Sequence, residues 1–399
     1  MRRKKQSRFW YRITKIAAWF VAKFTFKRKI LRNEIKGKRG PFVIIANHQA
    51  AFDFTNLIGA SSQLMTFVVS DSFYNTLPIK GVMNKVGVIP KQQFQTTVTD
   101  IKRMRGAIDA GKILVIYPAG LMCEDGASTP IPEATYKFLK WIGTDIYMAR
   151  ISGTYFVTPK WSGIKRRGRT TLDIYKLFDK EDIAKMDECE IKRIADEALI
   201  FDAYHDQEKM LVKYKNGSNV EGLHNVLYKC PHCQSEFTIQ AQGNRLFCTE
   251  CGYEQECDEY GFLHNKKGIG EEIRYPSDWS KRIYEDVKQK IVTTELSSIT
   301  LDTKINMIDY EKKKFVEVGK GTVALDKESF TIKFDGEKED IKISNASFVS
   351  LPFKPGAYIE VQKGPDIYRL VLNDGKLAMK LVNMVKAFYE LNSRLARKT

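Results

Sequence analysis

Residues 43–54 read VIIANHQAAFDF. Four small or β-branched residues, Val43 to Ala46, run into the turn former Asn47, which predicts a core strand ending at a sheet edge. The stretch after Asp53, FTNLIGASS, suits the start of a helix. His48 then stands on the intervening loop. Asp53 stands on the first helical turn, where the helix dipole favours a carboxylate. Such a loop can fold back so that the carboxylate meets one imidazole nitrogen and leaves the other for a cleft. That is a general base with an orienting acid and no serine nucleophile. Spacing alone leaves a second reading open, a surface histidine beside a helix-capping aspartate, because H-x-x-x-x-D is a loose pattern.

Outward from this loop, residues 41–180 alternate strand and helix signals. PFVIIA, LMTFVVS, KILVIYP and TYFVTPKW read as strands; TDIKRMRGAIDAG, ending at Gly111, and EATYKFLKWIG read as helices. The alternation predicts an α/β domain with a largely parallel sheet. Residues 188–215 read as continuing helix, and NGSNVEG breaks the pattern. DWSKRIYEDVKQKIV is a further helix. From about residue 297, SFTIKF, GAYIEVQK and IYRLVLN alternate apolar and polar residues between turns, as in an antiparallel sheet. The chain closes on a helix whose Leu377, Leu381, Val385, Phe388, Leu391 and Leu395 share one face. Strands followed by one terminal amphipathic helix resemble a pleckstrin-homology-type barrel.

A length of 399 residues is too much for one ordinary core, so two or three domains are expected. The net charge is +17, and residues 1–40 supply most of it, with fifteen Lys/Arg against Glu34 alone. These cations are interleaved with Phe9, Trp10, Tyr11, Ile13, Ile16, Trp19, Phe20, Phe24 and Phe26. The longest uncharged run there, Ile16 to Ala22, falls far short of the ~20 residues that span a bilayer, and no small-residue cleavage site follows it. An interfacial helical region on anionic lipid and a nucleic-acid arm both fit a basic segment. The density of Trp and Phe favours lipid, and no nucleic acid is expected.

The seven cysteines without a secretory signal imply a reducing compartment, not a disulfide framework. Cys230, Cys233, Cys248 and Cys251 form two C-x-x-C pairs separated by fourteen residues. That spacing predicts a tetrahedral four-thiolate zinc site on a ribbon of short strands. Sulfur would fill all four positions, so the zinc would be structural. Cys123, Cys189 and Cys257 read as ordinary residues.

Taken together, NHQAAFD resembles the N-H-x-x-x-x-D block of the glycerolipid acyltransferase family, which includes the lysophosphatidate acyltransferases. The basic aromatic N-terminus resembles that family's two-helix membrane-docking element. GVIPK at 87–91 resembles its second block, with Lys91 in the basic place, and YPAG at 117–120 resembles its third, F-P-E-G-T-R-S. The likeness covers roughly residues 1–205. The third block departs from the pattern: Ala119 stands for Glu, and Leu121, Met122 and Cys123 stand for Thr, Arg and Ser. That loses a carboxylate and a fork-shaped phosphate ligand. The fourth block, an apolar strand carrying prolines, is only loosely echoed around TDIYMARISGTYF.

Together with the cysteine spacing and the C-terminal strand pattern, the resemblance implies an α/β fold class with four parts. These are membrane-docking helices over 1–40, an αβα acyltransferase domain over 41–205, a zinc ribbon over 226–257 and a pleckstrin-homology-like β domain with a terminal helix over 297–399. It implies His48 and Asp53 as catalytic residues, and Asn47, Lys91, Tyr117, Pro118 and Gly120 as substrate-binding ones. The expected reaction moves an acyl group from acyl-carrier protein or acyl-coenzyme A to the hydroxyl of a lysophosphatidate-like lysolipid. It would take place at the cytoplasmic face of the cell membrane, by a peripheral or monotopic enzyme. The altered third block keeps open a different lysolipid acceptor, or a catalytically weakened binding module.

Overall fold

A computed structural model describes residues 6–93 and 96–396, and for Arg394, Leu395 and Ala396 the backbone alone. Residues 1–5 of the basic segment and the side chain of Leu395 on the terminal helix therefore lie outside the description. The chain divides into two compact units. One comprises residues 1–159 and 165–215; the other comprises 160–164 and 216–399.

The first unit is built on a seven-stranded sheet: β1 (Lys29–Asn33), β2 (Phe42–Ala46), β3 (Met65–Ser70), β4 (Ile89–Lys91), β5 (Ile113–Ile116), β6 (Ile146–Ser152) and β7 (Thr171–Phe178). Its order is β1-β7-β6-β2-β5-β3-β4. All neighbours are parallel except β6 and β7. The helices are α1 (Arg8–Phe20), α2 (Asp53–Ile58), α3 (Asp71–Thr76), α4 (Lys80–Val86), α5 (Val98–Asp109), α6 (Ala134–Ile142), α7 (Thr154–Val157), α8 (Lys180–Lys185), α9 (Glu188–Leu199) and α10 (Ala203–Met210).

Strand β2 is buried on both faces, which is why VIIA reads as an unbroken apolar run. Ile44 and Ala46 pack with Val115, Tyr147 and residues of α1, α2 and α4. Val43 and Ile45 pack on the other face with Leu114, Met148 and residues of α5, α6 and α9. The result is three layers, helix on sheet on helix. Because β2, β5, β3 and β4 are parallel, the loops that leave their C-terminal ends gather on one edge. In open α/β sheets that edge is where ligands bind.

Local chemistry sets the boundaries. Helix α5 starts at a reciprocal capping box between Thr97 and Asp100. Gly87 and Gly143, both left-handed, close α4 and α6.

Several expectations are corrected. TYFVTPKW is not a strand: Gly153 at φ 89° turns the chain out of β6 and Thr154–Val157 forms one helical turn. Among the missed strands is β7, whose polar and charged residues hide its alternation. The helix expected through 188–215 is two helices, α9 ending at Leu199 and α10 restarting at Ala203 under an Asp202 N-cap. The basic segment does not hold two helices among its described residues. Helix α1 runs into a π-helical turn, Val21–Thr25, and then the chain enters edge strand β1.

The second unit holds two antiparallel sheets. The first, in the order β11-β10-β9-β8, comprises β8 (Ile239–Gln242), β9 (Arg245–Cys248), β10 (Glu254–Cys257) and β11 (Leu263–His264). Helix α11 (Pro276–Val292) follows. The second sheet comprises β12 (Ser298–Asp309), β13 (Lys314–Asp326), β14 (Ser329–Phe334), β15 (Ile341–Ser344), β16 (Phe353–Lys354), β17 (Tyr358–Lys363) and β18 (Asp366–Leu372), in the order β15-β14-β13-β12-β18-β17-β16. Helix α12 (Leu377–Ala396) ends the chain. Its N-terminal half is buried on more than the single face expected: Ala378, Met379, Val382 and Met384 are covered as well as Leu381, Val385 and Phe388. Helix α11 packs beside it, with Tyr284 and Lys288 both on Glu390 at 2.6 and 2.7 Å.

Candidate active site and cysteine cluster

At the end of β2 the ladder stops and side chains continue it. Asn47 donates from Nδ2 to the Ile151 carbonyl and accepts the Ile151 N–H at Oδ1, both at 2.7 Å. It is 3% exposed. Both ends of its amide pin the loop to β6. The carbonyl of His48 accepts the Cys123 N–H at 3.2 Å, which ties the loop to the chain beyond β5.

The loop then closes on Asp53. Its Oδ2 accepts the Gln49 N–H at 2.7 Å and the Ala50 N–H at 2.9 Å, and lies 2.9 Å from His48 Nδ1. Asp53 is fully buried, whereas the His48 side chain keeps 20% of its surface. A carboxylate facing Nδ1 fixes the proton there and leaves Nε2 as a lone-pair acceptor. No hydrogen bond occupies Nε2 among the described residues. The arrangement can take a proton from a hydroxyl placed at Nε2 and hold the resulting imidazolium against Asp53.

Tyr117, one residue past β5, lays its ring on the imidazole, with centroids 4.4 Å apart and planes tilted by 31°. Its hydroxyl is buried and has no hydrogen-bond partner among the described residues. Burial, and secondarily the charge of Asp53, hold that phenol well above the usual tyrosine range. Pro118 follows, and Gly120 turns the chain at φ 69° with its N–H on the Tyr117 carbonyl at 2.9 Å. The Gly120 carbonyl accepts Gln93 Nε2 at 2.9 Å, so the segments after β4 and β5 meet. Lys91 stands at the end of β4, with Nζ donating to the Gln92 carbonyl at 2.9 Å. Burial pulls its ammonium below the usual lysine range, opposed by the charges of Asp100 and Asp71. Strand β4 lies three places from β2 in the sheet, roughly 14 Å at ordinary strand spacing.

Gln49 carries no sequence signal of its own, and Cys123 is singled out only by the third block. Gln49 Oε1 accepts Thr154 Oγ1 at 3.3 Å and the Tyr155 N–H at 3.4 Å. Cys123 Sγ lies 3.6 Å from the Gln49 carbonyl, and burial pushes its thiol far up, which leaves it an inert packing group. Only the third-block alignment could have drawn attention to Cys123.

Residues 23–157 match the model of the Acyltransferase family. The His48–Asp53 loop and the Tyr117–Gly120 turn both lie within that match. No curated protein matches the chain. Among solved structures, the chain is similar to the 1-acyl-sn-glycerophosphate (LPA) acyltransferase PlsC from Thermotoga maritima. The identity is 16%, with 50% of this chain and 81% of that one covered, at a TM-score of 0.41. It is also similar to the Ran binding domain of the nuclear complex component Nup2 from Ashbya gossypii. There the identity is 13%, with 24% of this chain and 97% of that one covered, at a TM-score of 0.20.

In the second unit the four cysteines converge. The Sγ atoms of Cys230 and Cys251 are 3.7 Å apart, as are those of Cys233 and Cys248. All four lie within 4.8 Å of one another. Four sulfurs placed ~2.3 Å from a central zinc form a tetrahedron with edges of ~3.8 Å, whereas a disulfide needs ~2.05 Å. The donor set therefore fits a closed tetrahedral metal site with no position for substrate. A second acidic group, Asp145, Asp179 and Glu181, carries Lys176 on Asp145 at 3.0 Å and on Asp179 at 2.5 Å, and reads as a surface ion pair network.

Helix α1 has two unlike faces. Tyr11 and Ala18 are buried in the sheet layer, as is Ala22 just beyond the helix, and the Tyr11 hydroxyl accepts the Met65 N–H at 3.0 Å. Phe9, Ile13, Ile16, Trp19 and Phe20, with Phe24 on the π-helical turn, are exposed. Lys23 caps the Trp19 ring at 4.7 Å. Among the described residues no helix is long and apolar enough to cross a membrane.

Proposed function

We propose that residues 1–205 form a membrane-associated O-acyltransferase acting on a lysolipid. His48 Nε2 takes the proton of the acceptor hydroxyl as that oxygen attacks an acyl thioester of coenzyme A or acyl-carrier protein. The thiol leaves, and the new ester remains on the lipid. Asp53 holds the tautomer and stabilises the imidazolium. The observation that carries this reading is the His48–Asp53 pair, buried at its acid end and open at Nε2, inside the segment that matches the Acyltransferase family. Lys91 is the proposed phosphate contact, and Pro118 and Gly120 the backbone beside the acceptor. Asn47 becomes a support for the loop. The test is transfer of a labelled acyl chain from each thioester to a panel of lysolipids. Transfer to none of them would favour the alternative, an acyltransferase-like binding module.

The acceptor follows from the third block. Ala119 and Met122 offer neither carboxylate nor guanidinium, which supports an acceptor other than plain lysophosphatidate. The double variant Ala119→Glu with Met122→Arg is expected to raise activity on lysophosphatidate relative to the native acceptor. An unchanged preference, measured by competition between the two lysolipids, would place phosphate recognition elsewhere, Lys91 first.

The exposed face of α1 is proposed to lie in the headgroup layer of an anionic bilayer, at the cytoplasmic face of the cell membrane. Because the opposite face is part of the core, substitution is a cleaner test than truncation. Changing Trp19, Phe20 and Phe24 to serine removes three side chains whose full burial is worth about 1.5–3 kcal/mol each. Even partial insertion makes the expected loss of liposome binding at least about tenfold. Salt should weaken wild-type binding without abolishing it, since a Debye length of ~10 Å at 0.1 M screens the cations and leaves the aromatics untouched. Undiminished sedimentation of the triple variant with anionic vesicles would move the docking site off α1.

Cys230, Cys233, Cys248 and Cys251 are the proposed ligands of one structural zinc, in a ribbon over 226–257. The terminal helix that follows β18 supports reading 297–399 as a pleckstrin-homology-like domain. Both segments belong to the second compact unit.

A further inference from the structure

We propose that Tyr117 is a positioning residue, whose ring face holds the His48 imidazole in the orientation from which Nε2 accepts a proton. The proposal rests on reading His48 as the base.

The imidazole is restrained at three places. Asn47 and Cys123 fix its backbone through Ile151 and the His48 carbonyl. Asp53 fixes Nδ1 at 2.9 Å. One hydrogen bond tolerates a broad range of angles, so the ring could still rock about the Nδ1–Asp53 line. The Tyr117 ring, 4.4 Å away and tilted by 31°, occupies one face and removes that freedom.

Tyr117 is itself well held. Strand β5 pairs in register with β2, Ile116 opposite Ile45, so the two strands deliver Tyr117 and His48 to the same sheet edge. The Gly120 N–H closes a turn on the Tyr117 carbonyl. A group carried on a strand end is placed more tightly than one on a free loop.

The experiment uses the full chain, labelled palmitoyl-coenzyme A and a mixed lysophospholipid extract, with NMR of the histidine rings assigned through His48→Ala. In wild type, the carbon-bound protons of His48 are expected to be shifted upfield by the Tyr117 ring current. Tyr117→Phe, which keeps the ring, is expected to keep that shift and to retain more of the wild-type kcat than Tyr117→Leu does. Tyr117→Leu is expected to lose the shift and lower kcat by about tenfold with KM nearly unchanged, as for a modest loss of reactive geometry. Three results would each overturn the proposal: ordinary His48 shifts in wild type, a kcat loss in Tyr117→Phe equal to that in Tyr117→Leu, or a Tyr117→Leu effect confined to KM. The ring-current measurement needs no turnover. A chain that transfers no acyl group but shows the shift would sink the acyl-transfer reading and leave the stacking itself in place.

Discussion

Replacing His48 by alanine is expected to lower acyl transfer by about a hundredfold to ten-thousandfold, the usual cost of removing a general base. An alcohol is a poor nucleophile unless its proton departs as the new bond forms, and a neutral imidazole accepts that proton near neutral pH. The side chain donates from one nitrogen alone, and without it Asp53 keeps the Gln49 and Ala50 amides. The fold, the metal content and liposome binding should be unchanged. Asp53→Asn is expected to be similarly damaging. Oδ2 collects three donors, the Gln49 and Ala50 amides and His48 Nδ1. An amide there loses the charge that stabilises the imidazolium, or turns its own N–H toward Nδ1 and inverts the tautomer. In serine-hydrolase triads the same change costs about 10⁴ in rate. The measurement is labelled acyl transfer from a thioester to a lysolipid extract. Retention of most of the wild-type rate by His48→Ala would show that the base lies elsewhere.

The pairing of His48 with Asp53 was legible because its parts are close in sequence. Six consecutive residues, His48 to Asp53, carry both side chains, and the strand before and the helix after are strong local signals. The contacts that support the pair were not legible. Asn47 reaches Ile151 and His48 reaches Cys123 across the sheet, and nothing in the local pattern around residue 47 names residue 151. The ordered motif blocks brought Tyr117 near His48 in expectation, yet not in its role. An aromatic residue after a strand looks the same whether it meets a ligand or a catalytic ring.

The errors in the fold have similar causes. Strand β1, KILRN, lies at the sheet edge with its residues largely exposed, so no apolar run marks it, and cations nearby drew it into the helical reading. Strand β7 pairs antiparallel to β6 in an otherwise parallel neighbourhood and carries Asp173, Tyr175 and Lys176 among its apolar positions. TYFV has strand propensity, but Gly153 turns the backbone before it, and tertiary context overrides propensity. The spacing of the leucines in α12 marks one face; α11, whose Tyr284 and Lys288 meet Glu390 from about a hundred residues earlier, leaves no mark in that local pattern.

Removing zinc is expected to unfold the cysteine ribbon and to loosen α11 with it. Purified chain should carry one zinc, and Cys248→Ser or a strong chelator should remove it. Structural zinc in small four-ligand sites is worth about 10–16 kcal/mol, comparable with the whole net stability of a domain, about 5–15 kcal/mol. Four unliganded thiolates within 4.8 Å of one another would repel, so without the cation the cluster spreads. The route to α11 is direct. Lys229, the residue before Cys230, gives its carbonyl to Trp279 Nε1 at 2.8 Å and pairs its buried ammonium with Asp286 at 2.7 Å. Tyr253, two residues after Cys251, meets the Trp279 ring edge-on at 5.8 Å. When the cysteine turns spread, Trp279 loses its hydrogen bond and Asp286 keeps only Lys290, at 3.2 Å. The readout is hydrogen exchange on the intact chain, before and after chelation. Protection should fall in residues 228–257 and along α11, while β2, β5 and β6 keep theirs, because the first unit holds its own core on both sheet faces. Metal-free protein with full protection in the ribbon would refute the zinc site. Loss confined to the ribbon, with α11 unaffected, would refute the coupling through Lys229 and Trp279.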